Sequence, residues 1–251
     1  MTGTLYLIPN HLGLSDGASD PLAHIIPEQV RQITSQLDYF VAENAKTARA
    51  FLKLIGNQHP LAKPLQEITI SELNVNTPAQ ALAGLLAPLL AGRDAGLVSE
   101  AGVPAVADPG ADLVRLAHQH GIKVRPLVGP SSILLAVMAS GLNGQSFAFN
   151  GYLPTDAALR AKRIKELESR SRNEKQTQLF IETPYRNAAM LEALVAQCAP
   201  STLICVATDL SLDTESVQTW NGAQWKKQLA ARSSAKALRI ALSTSRNRSP
   251  P

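Results

Sequence analysis

An α/β fold in two domains is what this sequence predicts, and three observations carry that expectation. Short apolar runs of strand length alternate with segments of helical spacing through the first half of the chain. Turns of small residues, Ser99-Glu100-Ala101-Gly102-Val103-Pro104 and Val128-Gly129-Pro130-Ser131-Ser132, each follow such a run at once, with Asp108-Pro109-Gly110 between them. After Gly151-Tyr152-Leu153-Pro154 the alternation starts again with enough strands and helices to bury a second core. The pattern argues for a parallel sheet covered on both faces, with a ligand taken against bare backbone at the strands' carboxyl ends.

In chain order, Leu5 to Ile8, Tyr39 to Ala42, Gly96 to Ser99 and Val124 to Val128 read as buried strands, each a short, mainly apolar run. Helical spacing marks Pro27 to Thr34, Ala45 to Leu54, Pro78 to Ala91, Ala111 to His120 and Ser131 to Ser140. The second series predicts helices over Ala157 to Lys175 and Asn187 to Gln197. Its strands are expected at Gln178 to Glu182, Leu203 to Thr208, Ser216 to Trp220 and Leu238 to Ser243. The boundary is expected near Val128, giving domains 1–127 and 128–251, and the tail from Ser245 to Pro251 lacks apolar content and is expected to fray.

Length and composition bound the rest. A chain of 251 residues suits one large α/β unit or two smaller ones. With 45% hydrophobic and only 4% aromatic residues, and no apolar run of membrane-spanning length, it reads as a soluble protein without a membrane partner. Met1-Thr2-Gly3-Thr4 passes straight into the first strand without the features of a signal peptide, so a cytoplasmic location is expected. Cys198 and Cys205 fit neither a disulfide framework nor a zinc pattern and read as reduced core thiols. His11, His24, His59, His118 and His120 lack metal-ligand spacing, so no metal is expected; His11 alone lies in a loop suited to face a ligand.

The excess of 24 Lys and Arg over 20 Asp and Glu permits a polyanionic partner without demanding one. Its distribution is more telling. Lys46 and Arg49 form one basic stretch, and Arg160, Lys162, Arg163, Lys165, Arg170, Arg172 and Lys175 a second, partly offset by Glu166, Glu168 and Glu174. Such stretches can follow a phosphate backbone or be a solvated helix face. No aromatic interleaving for base stacking accompanies them.

The series Gly96 to Pro104, Asp108-Pro109-Gly110 and Pro126 to Ser132 resembles the tetrapyrrole methylase superfamily of S-adenosylmethionine (SAM) methyltransferases. Within it the nearest match is the branch of the ribosomal RNA small subunit methyltransferase I enzymes. Leu5 to Gly13 resembles the family's first strand and loop, and Val41 to Arg49 its Glu-Asp-Thr-Arg segment; Phe149 to Pro154 and Ile181 to Arg186 complete the series in order. The resemblance spans nearly the whole chain. It implies two α/β domains of the tetrapyrrole methylase (class III SAM methyltransferase) type, with the cofactor in the interdomain cleft, a homodimer, and 2′-O-methylation of a cytidine in small-subunit ribosomal RNA. The sequence departs from the branch at Glu100, where Asp is usual, and at Val103, where Thr is usual. It departs again at Glu43-Asn44-Ala45-Lys46 and at Asp209-Leu210-Ser211-Leu212, which replaces Glu-Leu-Thr-Lys.

For the cofactor, the resemblance and the turns nominate Ser99, Ala101, Gly102, Val103, Pro104, Val106, Ser131, Ser132, Glu182, Ala207, Thr208, Ala237 and Leu238. Ala101 and Gly102 offer no obstructing side chain, and backbone carbonyls suit a cationic sulfonium. Ser131 and Ser132 serve equally as N-caps, Asp108 as the cap of the helix beginning near Ala111, and Arg186 either as a grip on a phosphate or carboxylate or as a structural pair with Glu182. Deprotonating a ribose hydroxyl calls for a base or a cation beside the alkoxide. Glu43, Glu100 and Glu182 are candidate bases, with Glu100 favoured, and Lys46 and Arg186 are candidate stabilisers. Three functions stay open: an RNA ribose methyltransferase, a methyltransferase of a tetrapyrrole or other small molecule, and a SAM-binding protein without turnover. A dinucleotide-binding dehydrogenase is disfavoured, because no Gly-x-Gly-x-x-Gly loop opens the first strand-helix unit.

Overall fold

The computed structural model describes residues 1–15, 17, 19–231 and 241–246. The chain divides into two compact units, Met1–Ser131 and Ser132–Pro251.

In the first unit the elements alternate as expected of α/β: β1 (Thr4–Ile8), α1 (Glu28–Ser35), β2 (Tyr39–Ala42), α2 (Ala45–Gly56), β3 (Thr69–Glu72), α3 (Leu82–Leu90), β4 (Ala95–Val98), α4 (Ala111–Gln119) and β5 (Lys123–Pro126). All five strands are parallel, in the order β3-β2-β4-β1-β5. The two strands that are buried at every residue, β2 and β4, are the ones whose apolar runs admit no polar side chain, and they lie inside the sheet. A side chain at Gly96 would collide with Ile8 Cδ1 at 2.6 Å and with Phe40 at 2.8 Å, so the missing Cβ lets these two large residues pack over β4. One core, with Leu5, Val41, Leu86 and Leu113, and another, with Ile8, Phe40, Phe51 and Ile55, are built on this sheet.

The second unit comprises α5 (Ser132–Ser140), β6 (Phe147–Tyr152), α6 (Ala157–Glu174), β7 (Thr177–Ile181), α7 (Asn187–Gln197), β8 (Thr202–Thr208), β9 (Ser216–Asn221), α8 (Gly222–Ala231) and β10 (Ala241–Arg246). Its sheet runs β6-β7-β10-β8-β9 and is mixed: β6 and β7 are parallel, and β10 is antiparallel to both its neighbours. Ile164, Leu167, Phe180, Leu191, Ile204 and Trp225 share its core. Trp225 Nε1 donates to the Ile204 carbonyl at 2.8 Å, which satisfies the one polar atom that this large side chain carries inside.

Several elements differ from expectation. The helix expected over Pro78 to Ala91 begins as a 3-10 turn at Ala79–Ala81 before α3. β3, β6 and α8 were not expected: β3 reads Thr-Ile-Ser-Glu and β6 includes Asn150 and Gly151, compositions that suit half-exposed edge strands rather than buried ones. The last strand spans Ala241–Arg246, and 238–240 of the expected run lie outside the described residues. Ser245 and Arg246, assigned to a frayed tail by composition, pair with Leu203 and Thr202 instead, because the backbone ladder between β10 and β8 continues through them whatever their side chains. Among the described residues no helix is long and apolar enough to cross a membrane, and no group of His, Cys, Asp and Glu could hold a metal ion.

Candidate active site

The site in the first unit is organised by a residue that the turn chemistry did not single out. Asn10 follows β1 and Pro9 and is only 1% exposed. Its Nδ2 donates to the carbonyls of Ser99 and Glu100, both at 3.1 Å, and its Oδ1 accepts from the His11 N–H at 2.9 Å. Its backbone forms an antiparallel bridge with Gly102: Asn10 N–H to the Gly102 carbonyl at 2.8 Å and Gly102 N–H back at 3.2 Å. Gly102 takes φ +70°, a region that a side chain would disfavour. Asn10 therefore stitches the loop after β1 to the turn after β4 and takes up the carbonyls of Ser99, Glu100 and Gly102, while Ala101 stands exposed. The turn after β5 comes equally close: a Cβ on Gly129 would lie 2.2 Å from Pro9 Cβ, so only glycine lets the two loops touch.

Three carboxyls gather at this edge. Glu43 follows β2, its N–H donating to the Val98 carbonyl at 3.3 Å, and its carboxyl accepts from the Glu100 backbone N–H. Burial, then the charges of Asp108 and Glu100, push the Glu43 pKa above the ordinary carboxyl value. Burial and the Glu100 charge also raise Asp108, against a hydrogen bond from the Ser99 hydroxyl. Glu100 itself is exposed and accepts a 3.1 Å hydrogen bond from Thr47 Oγ1 on the first turn of α2. That turn is fixed by Asn44, whose Oδ1 accepts from the Lys46 and Thr47 backbone N–H groups as an N-cap. Lys46 is exposed on the same turn. The neighbouring His11 is half-buried with Nδ1 lacking a hydrogen-bond partner, and burial holds its pKa below the usual histidine value.

Asp108 does not cap α4. The N-cap is Gly110, at φ +137° and without a side-chain cap, and the Asp108 carboxyl is engaged by Ser99. Between Pro104, which is buried, and Asp108 the chain passes through two non-glycine residues in the left-handed region, Ala105 at φ 65° and Ala107 at φ 66°, with Val106 47% exposed between them. Val103 is half-buried. A cavity of about 450 Å³ opens beside Asp108, walled by Leu73, Asn74, Thr77 and Leu82 on one side and the Pro109 turn on the other. Ser131 ends the first unit and Ser132 begins α5; both are half-buried.

In the second unit the Glu182 side chain is fully buried and ion-pairs with Arg186 at 3.1 Å, while its Oε1 accepts from the Thr183 N–H at 2.8 Å. The Arg186 guanidinium also donates to the carbonyls of Leu153 and Pro154, each at 3.2 Å. Of the two sequence readings of Arg186, the geometry matches the structural pair: the guanidinium ties β7's exit to the end of the β6 loop. Ala207 and Thr208 close β8 and are buried. Ala237 and Leu238 lie outside the described residues. The structure thus brings Glu43, Ser99, Glu100 and Gly102 together in one unit, and Glu182 with Arg186 in the other. Asn10 and Thr47 were missed because each acts on residues some fifty to ninety positions away, and neither type stands out beside a strand end.

The sequence profile of the Tetrapyrrole (Corrin/Porphyrin) Methylases matches residues 25–225. The chain is 30% identical to the ribosomal RNA small subunit methyltransferase I of Escherichia coli O157:H7 over 86% of its own length and 68% of that protein's. It is likewise 30% identical to the protein of the same name from Xylella fastidiosa over 91% of this chain and 76% of the relative. Among solved structures, the methyltransferase CobJ has a similar fold, with a TM-score of 0.58 and 17% identity over 98% of this chain and 95% of that one.

Proposed function

The chain belongs to the tetrapyrrole (corrin/porphyrin) methylases, and we propose that it is the enzyme that uses SAM to methylate a ribose 2′-hydroxyl of small-subunit ribosomal RNA. The observation that carries the choice of acceptor is Glu43, a carboxyl with raised pKa set between Asp108 and Glu100 at the sheet's carboxyl edge. An electron-rich ring carbon attacks a methyl group without first losing a proton. A ribose hydroxyl needs a base, and a carboxyl whose proton affinity is raised above the ordinary carboxyl value is a better one than an ordinary surface glutamate. The names of the relatives point the same way.

The residues present fit the cofactor. The turn after β4 shows Ala101 to solvent and carries Gly102 in a conformation that favours glycine, and Asn10 fixes it before anything binds. When bound, SAM supplies an electrophilic sulfonium methyl. Ser99, Ala101, Gly102, Val103, Pro104 and Val106 would hold it from the first unit, with Ser131 in the same set. Glu43 accepts the hydroxyl proton, Glu100 is kept in position by Thr47, and Lys46, exposed on the first turn of α2, is the cation that stabilises the developing alkoxide. Arg186 is a positioning residue here, holding Glu182 and the Leu153-Pro154 backbone. The protein acts as a homodimer in the cytoplasm.

Transfer of labelled methyl from SAM to small ribosomal subunits, and separately to their naked RNA, taken from cells lacking the gene, tests the reading. Label that resists protease, yields to nuclease and maps to a ribose is the expected result. SAM binding by calorimetry with no label in either substrate would overturn it in favour of a small-molecule acceptor or a protein that binds SAM without turnover.

A further inference from the structure

We infer that the outer face of α2 is a track for the RNA phosphate backbone, leading away from the carboxyl cluster; the inference rests on the RNA reading above. The first unit contains nine Lys and Arg residues. Arg31 pairs with Asp20 and Glu28, Lys63 and Arg93 with Asp38, and Arg115 with Asp112, while Arg125 lies over the Tyr6 ring. Among the described residues no ion pair engages the remaining four, Lys46, Arg49, Lys53 and Lys123. Three of these four fall on one helix.

On α2 they occupy positions i, i+3 and i+7, which puts them in a single stripe, and all three are exposed. The helix buries the other side, Ala48, Phe51, Leu52 and Ile55. At 1.5 Å per residue the stripe advances ~4.5 Å and then ~6 Å between successive cations, a spacing on the scale of neighbouring phosphates. Arg49 makes only a long 3.5 Å contact to the Leu65 carbonyl, so its charge is available. The stripe begins on the turn that carries Thr47, the partner of Glu100, and that follows Glu43 and the Asn44 cap directly, so a strand lying along it arrives at the carboxyl cluster.

The longer basic stretch on α6 is a weaker candidate. Arg163 pairs with Glu166, Arg170 with Glu174 and Arg172 with Glu168, and Arg160 donates to the Pro154 and Thr155 carbonyls. Of the lysines left over, Lys162 and Lys165 stand three apart on one face, but Lys175 lies past the end of α6, so only two of them align there against three cations on α2.

The test compares wild type with the double variant Arg49→Gln, Lys53→Gln, which leaves Lys46 and the carboxyls untouched. Binding of single-stranded small-subunit RNA is followed against salt concentration, and SAM binding by calorimetry serves as the check on folding. Each phosphate contact to a single strand contributes about 0.7 to the slope of log affinity against log salt. The double variant should therefore lower the slope by about 1.4. Wild type should lose about 7-fold more affinity than the variant between 50 and 200 mM salt, and SAM affinity should not change. A slope equal to that of wild type, or one lowered as much by Lys162→Gln with Lys165→Gln, overturns the inference while leaving the functional reading standing. Absence of RNA binding and methylation by wild type itself removes the functional reading.

Discussion

Replacing Asn10 by Ala is the sharpest probe of the site. The amide makes three hydrogen bonds, two given to the Ser99 and Glu100 carbonyls and one accepted from His11. Each is worth about 1 kcal/mol net. The substitution strands a buried carbonyl at Ser99, whereas water can reach Glu100, so the loss should be about 3 kcal/mol. A first unit of 131 residues with an unfolding entropy of about 2.1 cal/mol/K per residue loses about 11 °C in melting temperature for that change. Scanning calorimetry of the full chain reads it directly. SAM affinity should fall in parallel, because the turn proposed to hold the cofactor loses its fixed shape. Asn10→Asp should be worse near neutral pH, where a carboxylate faces two carbonyl oxygens. It should recover part of the loss on acidification, when the introduced carboxyl can donate. A loss under about 1 kcal/mol, well below the sum of three bonds, together with unchanged SAM affinity, would refute the view that Asn10 holds the turn.

Two further expectations concern titrating groups. The Glu43 pKa is raised in the fold, first by burial and then by Asp108 and Glu100. Its ionised form therefore costs stability as pH rises from the ordinary carboxyl value through the raised one, and costs nothing below both. Glu43→Gln should melt above wild type at pH 7, with the gain gone below about pH 4. It should also slow methyl transfer by about 10²-fold or more while SAM still binds; equal melting at both pH values, with normal turnover, would count against both parts. Burial, with Glu168 nearby, pushes the Cys198 thiol up to about 12, and burial raises Cys205. Neither should react with iodoacetamide at pH 8 until urea unfolds the chain, and rapid native labelling would contradict their core position.

The elements legible in the sequence were those whose side chains do the burying. Tyr39 to Ala42 and Gly96 to Ser99 announce inner strands because each apolar run is covered on both sides. Thr69–Glu72 and Phe147–Tyr152 escape notice because they are defined by pairing partners, and their alternation is blurred by polar or glycine positions. For the site, the turns after β4 and β5 declared themselves through Gly102, Pro104, Gly129 and Pro130. Glu182 and Arg186, four residues apart, already allowed the structural pair that the geometry contains. The preference for Glu43 over Glu100 was not legible. It depends on Asp108 lying close to Glu43, a proximity created by parallel strands joined through long crossovers and absent from any local spacing.

The position of β10 has a consequence for how the molecule is made. Synthesis proceeds from the first residue to the last, so every strand of the first sheet, through Pro126, exists long before Ala241. The first unit can close its sheet while the rest is still being translated. The second cannot: β7 and β8 are each waiting for the strand that lies between them. Until it arrives their facing edges carry unpaired N–H and C=O groups, ready to accept a foreign strand. A nascent chain of this protein thus passes through an interval with one finished half and one half open at its centre, when a chaperone's shelter counts most.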